Sequence, residues 1–250
     1  MASWCRSPNA LRLRFPKMVA HSAAVPGVSH MISWLKLTSF GGIVVTAPAA
    51  AAVTAWLMMG RAWRLAAWWC ALFVGGMALV VVTKIAFIGW GIGIRAVDFT
   101  GFSGHAMRAT AVYPVLFYLV MLRSSSFGRM LGATLGFAIA IAIDISRVII
   151  HAHSISEAAA GFVLGGLISM FFLRSAATLK AFRLSRWALA AGLLAVVGAS
   201  YLKPVPTERW IEDVALAVSG HDQPYTRIGW KPRSARYISS QHRACGRPCD

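Results

Sequence analysis

The sequence predicts an all-α fold, a polytopic membrane helix bundle of about six transmembrane helices. Three observations predict it. Apolar residues make up 58% of the 250 residues and charged ones only 13%, against about a quarter charged in an average soluble domain. The apolar residues fall in runs of about 20, the length of helix that crosses a hydrocarbon core ~30 Å thick. The basic residues punctuate those runs, as they do in loops between membrane spans. Ten Trp and 22 Gly fit the same class. These numbers exclude collagen-like, coiled-coil and disordered chains.

The spans follow in order. The first is Leu37 to Gly60 and the second Leu65 to Thr83, both uncharged. The third is Ala109 to Leu122, following Arg108. The fourth, Met130 to Ile150, carries Asp144 and Arg147 near its end. The fifth, Ile155 to Leu173, has Glu157 in its first turn, and the sixth is Trp187 to Leu202. None repeats a polar residue every three or four positions, as an amphipathic soluble helix would. Residues 1–36 form a basic N-terminal extension, 37–202 the membrane domain, and 203–250 a polar, proline-bearing tail without a span, expected to be loop-rich. Cys70 reads as a small apolar residue within a span. Cys245 and Cys249 are candidates to pair in an oxidising compartment, and His242 beside them matches no strong zinc spacing.

The net charge is +17, from 25 Lys+Arg and 8 Asp+Glu. Nucleic-acid binding would need this charge on an aromatic-bearing surface outside lipid, so no nucleic-acid partner is expected. The short loops 61–64, 123–129 and 174–186 hold Arg61, Arg64, Arg123, Arg129, Arg174, Lys180, Arg183 and Arg186 and no acid. The positive-inside rule makes them cytoplasmic. The N-terminal 36 residues, with Arg6, Arg12, Arg14, Lys17 and Lys36, argue for the opposite orientation. The short loops outweigh them, because the rule works best on short loops. A multi-pass cell-membrane protein is expected, with its opposite face periplasmic.

That opposite face collects the chemistry. A charge at the centre of a span costs roughly 2.5–3.5 kcal/mol, so it is usually paired or functional. Between Leu65 and Leu173 the acids are Asp98, Asp144 and Glu157, and the histidines His105, His151 and His153. Glu157 lies four residues after His153, so on a helix its carboxylate can face that imidazole. A carboxylate on one ring nitrogen fixes the tautomer and frees the other nitrogen. Ser154-x-x-Glu157 is equally a capping box. Gly101-Phe-Ser103-Gly104-His105 is a glycine-rich turn entering a helix, able to offer N–H groups to an anion. Lys84 ends the second span, as a snorkelling lysine or a functional one. Asp144 lies three residues before Arg147 and is expected to pair with it or with a neighbouring polar group.

These residues resemble the type 2 phosphatidic acid phosphatase superfamily, which shares a site with the vanadium haloperoxidases. The resemblance covers about Lys84 to Glu157. Ser146-Arg147, five residues, His153, three residues, Glu157 matches the third motif, with Glu for the usual Asp. Phe102-Ser103-Gly104-His105 matches the second, with its proline replaced. Lys84 opens the first, Lys-x6-Arg-Pro, but Gly91 and Ile92 stand where Arg-Pro would, and Arg95 is the nearest basic substitute.

The resemblance implies an acid phosphatase/vanadium haloperoxidase-like core and a metal-independent hydrolase without cofactor. The substrate would be a membrane lipid phosphate or diphosphate. His153 would be the nucleophile, forming a phosphohistidine. Glu157 would hold its far nitrogen, and His105 would be the acid and then the base. Lys84, Arg95 and Arg147 would neutralise the phosphoryl oxygens, with Ser103, Gly104 and Ser146 completing the site. His151 would be a helix-end residue or one supporting the site from behind it, and on a helix it would point elsewhere. The alternatives are a phosphatase specific for polyprenyl diphosphate and a non-catalytic lipid-binding or transport relative. The partners expected are the lipid substrate and the bilayer; the sequence fixes no oligomeric state.

Overall fold

A computed structural model describes residues 26–177, 186–201 and 205–227. The expectations for Cys5, His242, Cys245 and Cys249, and for the loop residues Lys180 and Arg183, fall outside these residues. The described chain is all-helical: α1 (Pro26–Ser39), α2 (Ile43–Met59), α3 (Trp63–Trp90), a 3-10 turn at Arg95–Val97, α4 (Gly104–Val120), α5 (Ser126–Ile149), α6 (Ile155–Ala177), α7 (Arg186–Ala199) and α8 (Thr207–Ser219).

Four stretches are long and apolar enough to cross a membrane: 33–59, 63–90, 126–149 and 155–177. The other two expected spans are shorter. Helix α7 has 14 residues. Helix α4 has 17, about 26 Å at ~1.5 Å per residue. It occupies the centre of the bundle, packing on α5, α6, α2 and α3. Almost all of α4 is buried, including Arg108 and Thr110, so other helices meet its polar groups and it has no lipid boundary to reach. The outer faces are apolar instead, with Trp63, Val74, Val82, Phe127, Met130, Val163, Leu167 and Leu194 exposed. Soluble monomers rarely show such a continuous apolar exterior.

Two departures from the expected spans shape the site. Helix α3 does not end near Lys84 but continues through Ile85–Trp90, because the lysine has an acid to pair with, Glu208, at 3.6 Å. The first span is broken at Phe40–Gly42 into α1 and α2. A break inside lipid leaves backbone groups that must find partners. Tyr113 Oη donates to Phe40 O at 2.8 Å, and Arg108 Nη2 donates to Gly41 O at 3.3 Å.

The tail departs too. It contains α8, which packs along α3, where a loop-rich appendage was expected. Its apolar side chains cover only part of its circumference, so it reads as polar by composition. Asp144 makes no ion pair with Arg147; its Oδ1 has no partner among the described residues. Arg147 turns instead to Thr38, with Nη1 3.4 Å from Oγ1.

Close packing of α4 on α6 uses Gly161 and Gly165, four apart on α6, a spacing that lets helices approach in membranes. A Cβ at Gly161 would stand 2.6 Å from Ser103 O and 3.0 Å from Ala106 Cβ. A Cβ at Gly75, on α3, would meet nothing within 4 Å. Gly161→Ala should therefore lower the thermal unfolding midpoint in detergent, by an overpacking cost of about 1–3 kcal/mol. Gly75→Ala should leave it unchanged or raise it slightly. Equal melting of the two variants would mean that α4 and α6 are not in contact here.

Candidate functional site

Four helix ends build the site: the last turns of α3 and α5 and the first turns of α4 and α6. Ser103 caps α4, accepting from Ala106 N at 3.4 Å, and its own amide donates to Glu157 O at 3.1 Å. That bond ties the start of α4 to the start of α6 and sets His105 opposite the turn that carries His153.

Glu157 is the fixed point. Its side chain is 1% exposed. One oxygen, Oε1, accepts from Thr100 N at 2.8 Å and from the Thr100 hydroxyl. The other, Oε2, lies 2.8 Å from His153 Nδ1, accepts from Ser154 N at 3.4 Å, and accepts from Arg227 Nη2. Glu157 N in turn donates to Ser154 Oγ at 3.3 Å. The capping box and the histidine partner are therefore one arrangement, not alternatives. A carboxylate acceptor on Nδ1 selects the tautomer protonated there, which leaves Nε2 with its lone pair.

His153 lies in the turn between α5 and α6. Burial pushes its imidazole below the ordinary value; the Glu157 hydrogen bond opposes this, and Lys84 and Arg147 act with burial. The neutral form is thus favoured, as a nucleophile requires.

The cations line three cavities that share wall residues. Lys84, His153, Glu157, Glu208 and Arg227 line the first. His105, Arg108, Arg147 and Glu208 line a second, and Lys84, Gly104, His105, Arg108 and Glu208 a third. Glu208 of α8 borders all three, and Glu212 of the same helix lines the first. The Nε atoms of both Arg108 and Arg147 are buried without a partner among the described residues. Two buried guanidinium groups with spare donors can accept an anion with several acceptor oxygens.

The structure brings together Lys84, Gly104, His105, Arg147, His153 and Glu157 from the sequence reading. Ser103 serves as the α4 cap. Ser146 is fully buried and its hydroxyl donates to Ile143 O in its own helix. Arg95 is exposed on the 3-10 turn and is not among the residues lining the three cavities. His151 adopts a left-handed conformation (φ 54) and lines the cavity edge beside His153, rather than pointing away. Sequence reasoning missed Arg108, Thr100, Glu208 and Arg227. Arg108 had a signal, since it lies three residues after His105 and so on the same side of α4. Thr100 adjoins the Gly101–His105 turn but meets Glu157 57 residues on, Glu208 and Arg227 are remote from the motifs, and none of the three had a signal.

Glu208→Gln should leave these cations short of their acid. Binding of inorganic orthovanadate, followed by calorimetry on the detergent-solubilised protein, should tighten roughly two- to fivefold, the scale of a partly exposed charge pair. Weaker binding would show that Glu208 helps to hold the anion rather than competing with it.

Two sequence comparisons with known proteins cover these residues. The family model of the PAP2 superfamily matches residues 95–181, a stretch holding His105, Arg108, Arg147, His153 and Glu157. An "Uncharacterized 22.5 kDa protein in cps region" of Klebsiella pneumoniae is 36% identical over 202 residues, covering 78% of this chain and 96% of that protein. No solved structure matches the chain significantly. With a helical membrane bundle, two histidines and a cationic cavity at one end of it, the chain belongs to the PAP2 superfamily, whose members are phosphatases.

Proposed function

We propose that this protein hydrolyses a membrane lipid phosphate or diphosphate through a phosphohistidine on His153. The observation that carries the proposal is the His153–Glu157 pair sharing a cavity with Lys84, next to cavities lined by Arg108 and Arg147, whose Nε atoms have no partner among the described residues. In the first step His153 Nε2 bonds to phosphorus as the bond from phosphorus to the leaving oxygen breaks. His105 gives its proton to that oxygen. Glu157 steadies the positive charge appearing on His153. In the second step His105 takes a proton from water, whose oxygen displaces the histidine from phosphorus. Phosphoryl transfer depends chiefly on positioning and charge stabilisation, and the three cations supply the charge that a metal ion supplies elsewhere.

A lipid substrate is supported by the wall of the cavity. Beside His105 and Arg108 it is lined by Met77, Val80, Val81, Trp210 and Val214, between α3 and α8. A phosphate can meet the cations there while its hydrocarbon stays against apolar side chains. The acid-free loops at the far ends of the helices support a periplasmic site.

The purified protein in detergent with EDTA should release phosphate from phosphatidate, phosphatidylglycerol phosphate or a polyprenyl diphosphate. Activity lost on chelation and regained with a divalent metal would refute the metal-independent mechanism. His153→Ala should abolish turnover and trapping of a labelled phosphoenzyme. His105→Ala should slow alkyl esters strongly and esters with good leaving groups less, while His151→Ala keeps most activity. A dead His151→Ala with an active His153→Ala would overturn the assignment. Because attack needs neutral His153 and its pKa is lowered, phosphoenzyme formation from an ester with a good leaving group, which needs no proton from His105, should hold down to pH ~6.5, the ordinary histidine value, and fall only below it. An acidic limb above that value would contradict this.

Sidedness has its own test on a cysteine-free background. An impermeant maleimide should label Ala96→Cys in intact cells and Ser124→Cys only after permeabilisation. The reverse pattern would place the site in the cytoplasm.

A further inference from the structure

Where the first motif lacks its arginine, α3 ends at Gly91 in a left-handed conformation (φ 70). A Cβ there would stand 2.8 Å from Tyr225 Cδ1, so the ring occupies space that any side chain at position 91 would contest. Tyr225 N donates to Ile88 O at 2.9 Å. His221 Nδ1 donates to Gly89 O at 2.8 Å. Three contacts thus dock the segment after α8 on the last turn of α3. Two residues on, Arg227 enters the cavity of His153, with its side chain 30% exposed. Nη2 donates to Glu157 Oε2 and, at 3.4 Å, to Thr100 Oγ1. Nη1 lies 4.0 Å from the Asp98 carboxylate.

We infer that Arg227 is a positioning residue of the active site, clamping the Glu157 carboxylate and through it setting the orientation and proton affinity of His153. The inference rests on the phosphohistidine reading. The argument is one of sharing. Oε2 serves both His153 Nδ1 and Arg227 Nη2. A carboxylate that also holds a guanidinium is a weaker partner for an imidazolium, so the neutral nucleophile gains. The guanidinium also keeps the carboxylate ionised and in one rotamer, which fixes the ring it holds. The other charged groups around His153 come from every neighbouring element: Lys84 of α3, His105 of α4, Arg147 of α5, Glu208 and Glu212 of α8, and His151 of its own turn. A substitution at position 227 leaves all of them in place. A change in His153 titration then reports the clamp.

The test uses the full chain in detergent with ring-labelled histidine, the His153 signal being assigned by its loss in His153→Gln. Arg227→Ala should raise the His153 midpoint by about half to one pH unit, the scale of losing one nearby cation. The acidic limb of kcat should move up with it, and kcat should fall more than KM rises. Arg227→Lys should restore most of the shift. Tyr225→Ala, which undocks the segment without touching the clamp, should move the midpoint in the same direction. It reads the inference independently should Arg227→Ala fold poorly. An unchanged midpoint in both Arg227→Ala and Tyr225→Ala overturns the clamp, even in a fully active enzyme. A shifted midpoint in a protein that releases no phosphate from any ester sustains the clamp and refutes the phosphatase reading instead.

Discussion

One buried carboxylate organises the periplasmic end proposed for this bundle. Glu157 draws hydrogen bonds from the loop before α4 through Thr100, from the α5–α6 turn through His153 and Ser154, and from the C-terminal segment through Arg227. An ionised group out of water costs several kcal/mol unless its lone pairs are taken up. Here both oxygens are, so the cost becomes a reason for five donors from separate stretches of chain to converge. Removing any one weakens the case for the rest staying in place. The carboxylate is at once a helix cap, a tertiary anchor and the partner of the reactive imidazole.

The cations are arranged by the opposite logic. Arg108 and Arg147 lie buried within reach of one another's field, and neither forms an ion pair among the described residues. They are held by neutral groups, Gly41 O for Arg108 and the Thr38 hydroxyl for Arg147. Neutral acceptors orient a guanidinium without cancelling its charge. Carboxylates at these places would have made a more stable apo bundle and a site with nothing left to offer an anion. Strain of this kind is commonly retained where function needs it.

Much of this was legible in the sequence because membrane segments and local motifs are written in contiguous residues. Uncharged runs gave the spans, with boundaries blurred where a charge such as Lys84 has a remote partner. The four-residue step from His153 to Glu157 and the turn Ser103-Gly104-His105 are local, and the structure pairs the first two and starts α4 at the Ser103 cap. Ser146 and Arg95 had the right type, but α5 turns the first inward to its own backbone and the second sits on an exposed turn. Arg108 was taken as a span boundary because a charge there looked like an end; in fact a broken neighbouring helix accepts from it. Glu208 and Arg227 were out of reach, since Arg227 meets Glu157 across 70 residues of chain and nothing in either neighbourhood announces the other. Helix α8 hid behind its polar composition.

The interruption between α1 and α2 bears on how such a protein is made. As the first span enters the membrane ahead of the rest, a straight helix satisfies all its own backbone groups. The bent form does not: Phe40 O and Gly41 O need Tyr113 and Arg108, which belong to a segment synthesised some 70 residues later (Arg108.Nη2 to Gly41 O spans 67). Open carbonyls in hydrocarbon are too costly to wait. The bend and the burial of Arg108 therefore arise in the same event, when α4 docks. Until the central helix is seated, Phe40 O and Gly41 O lack the donors that the bend needs.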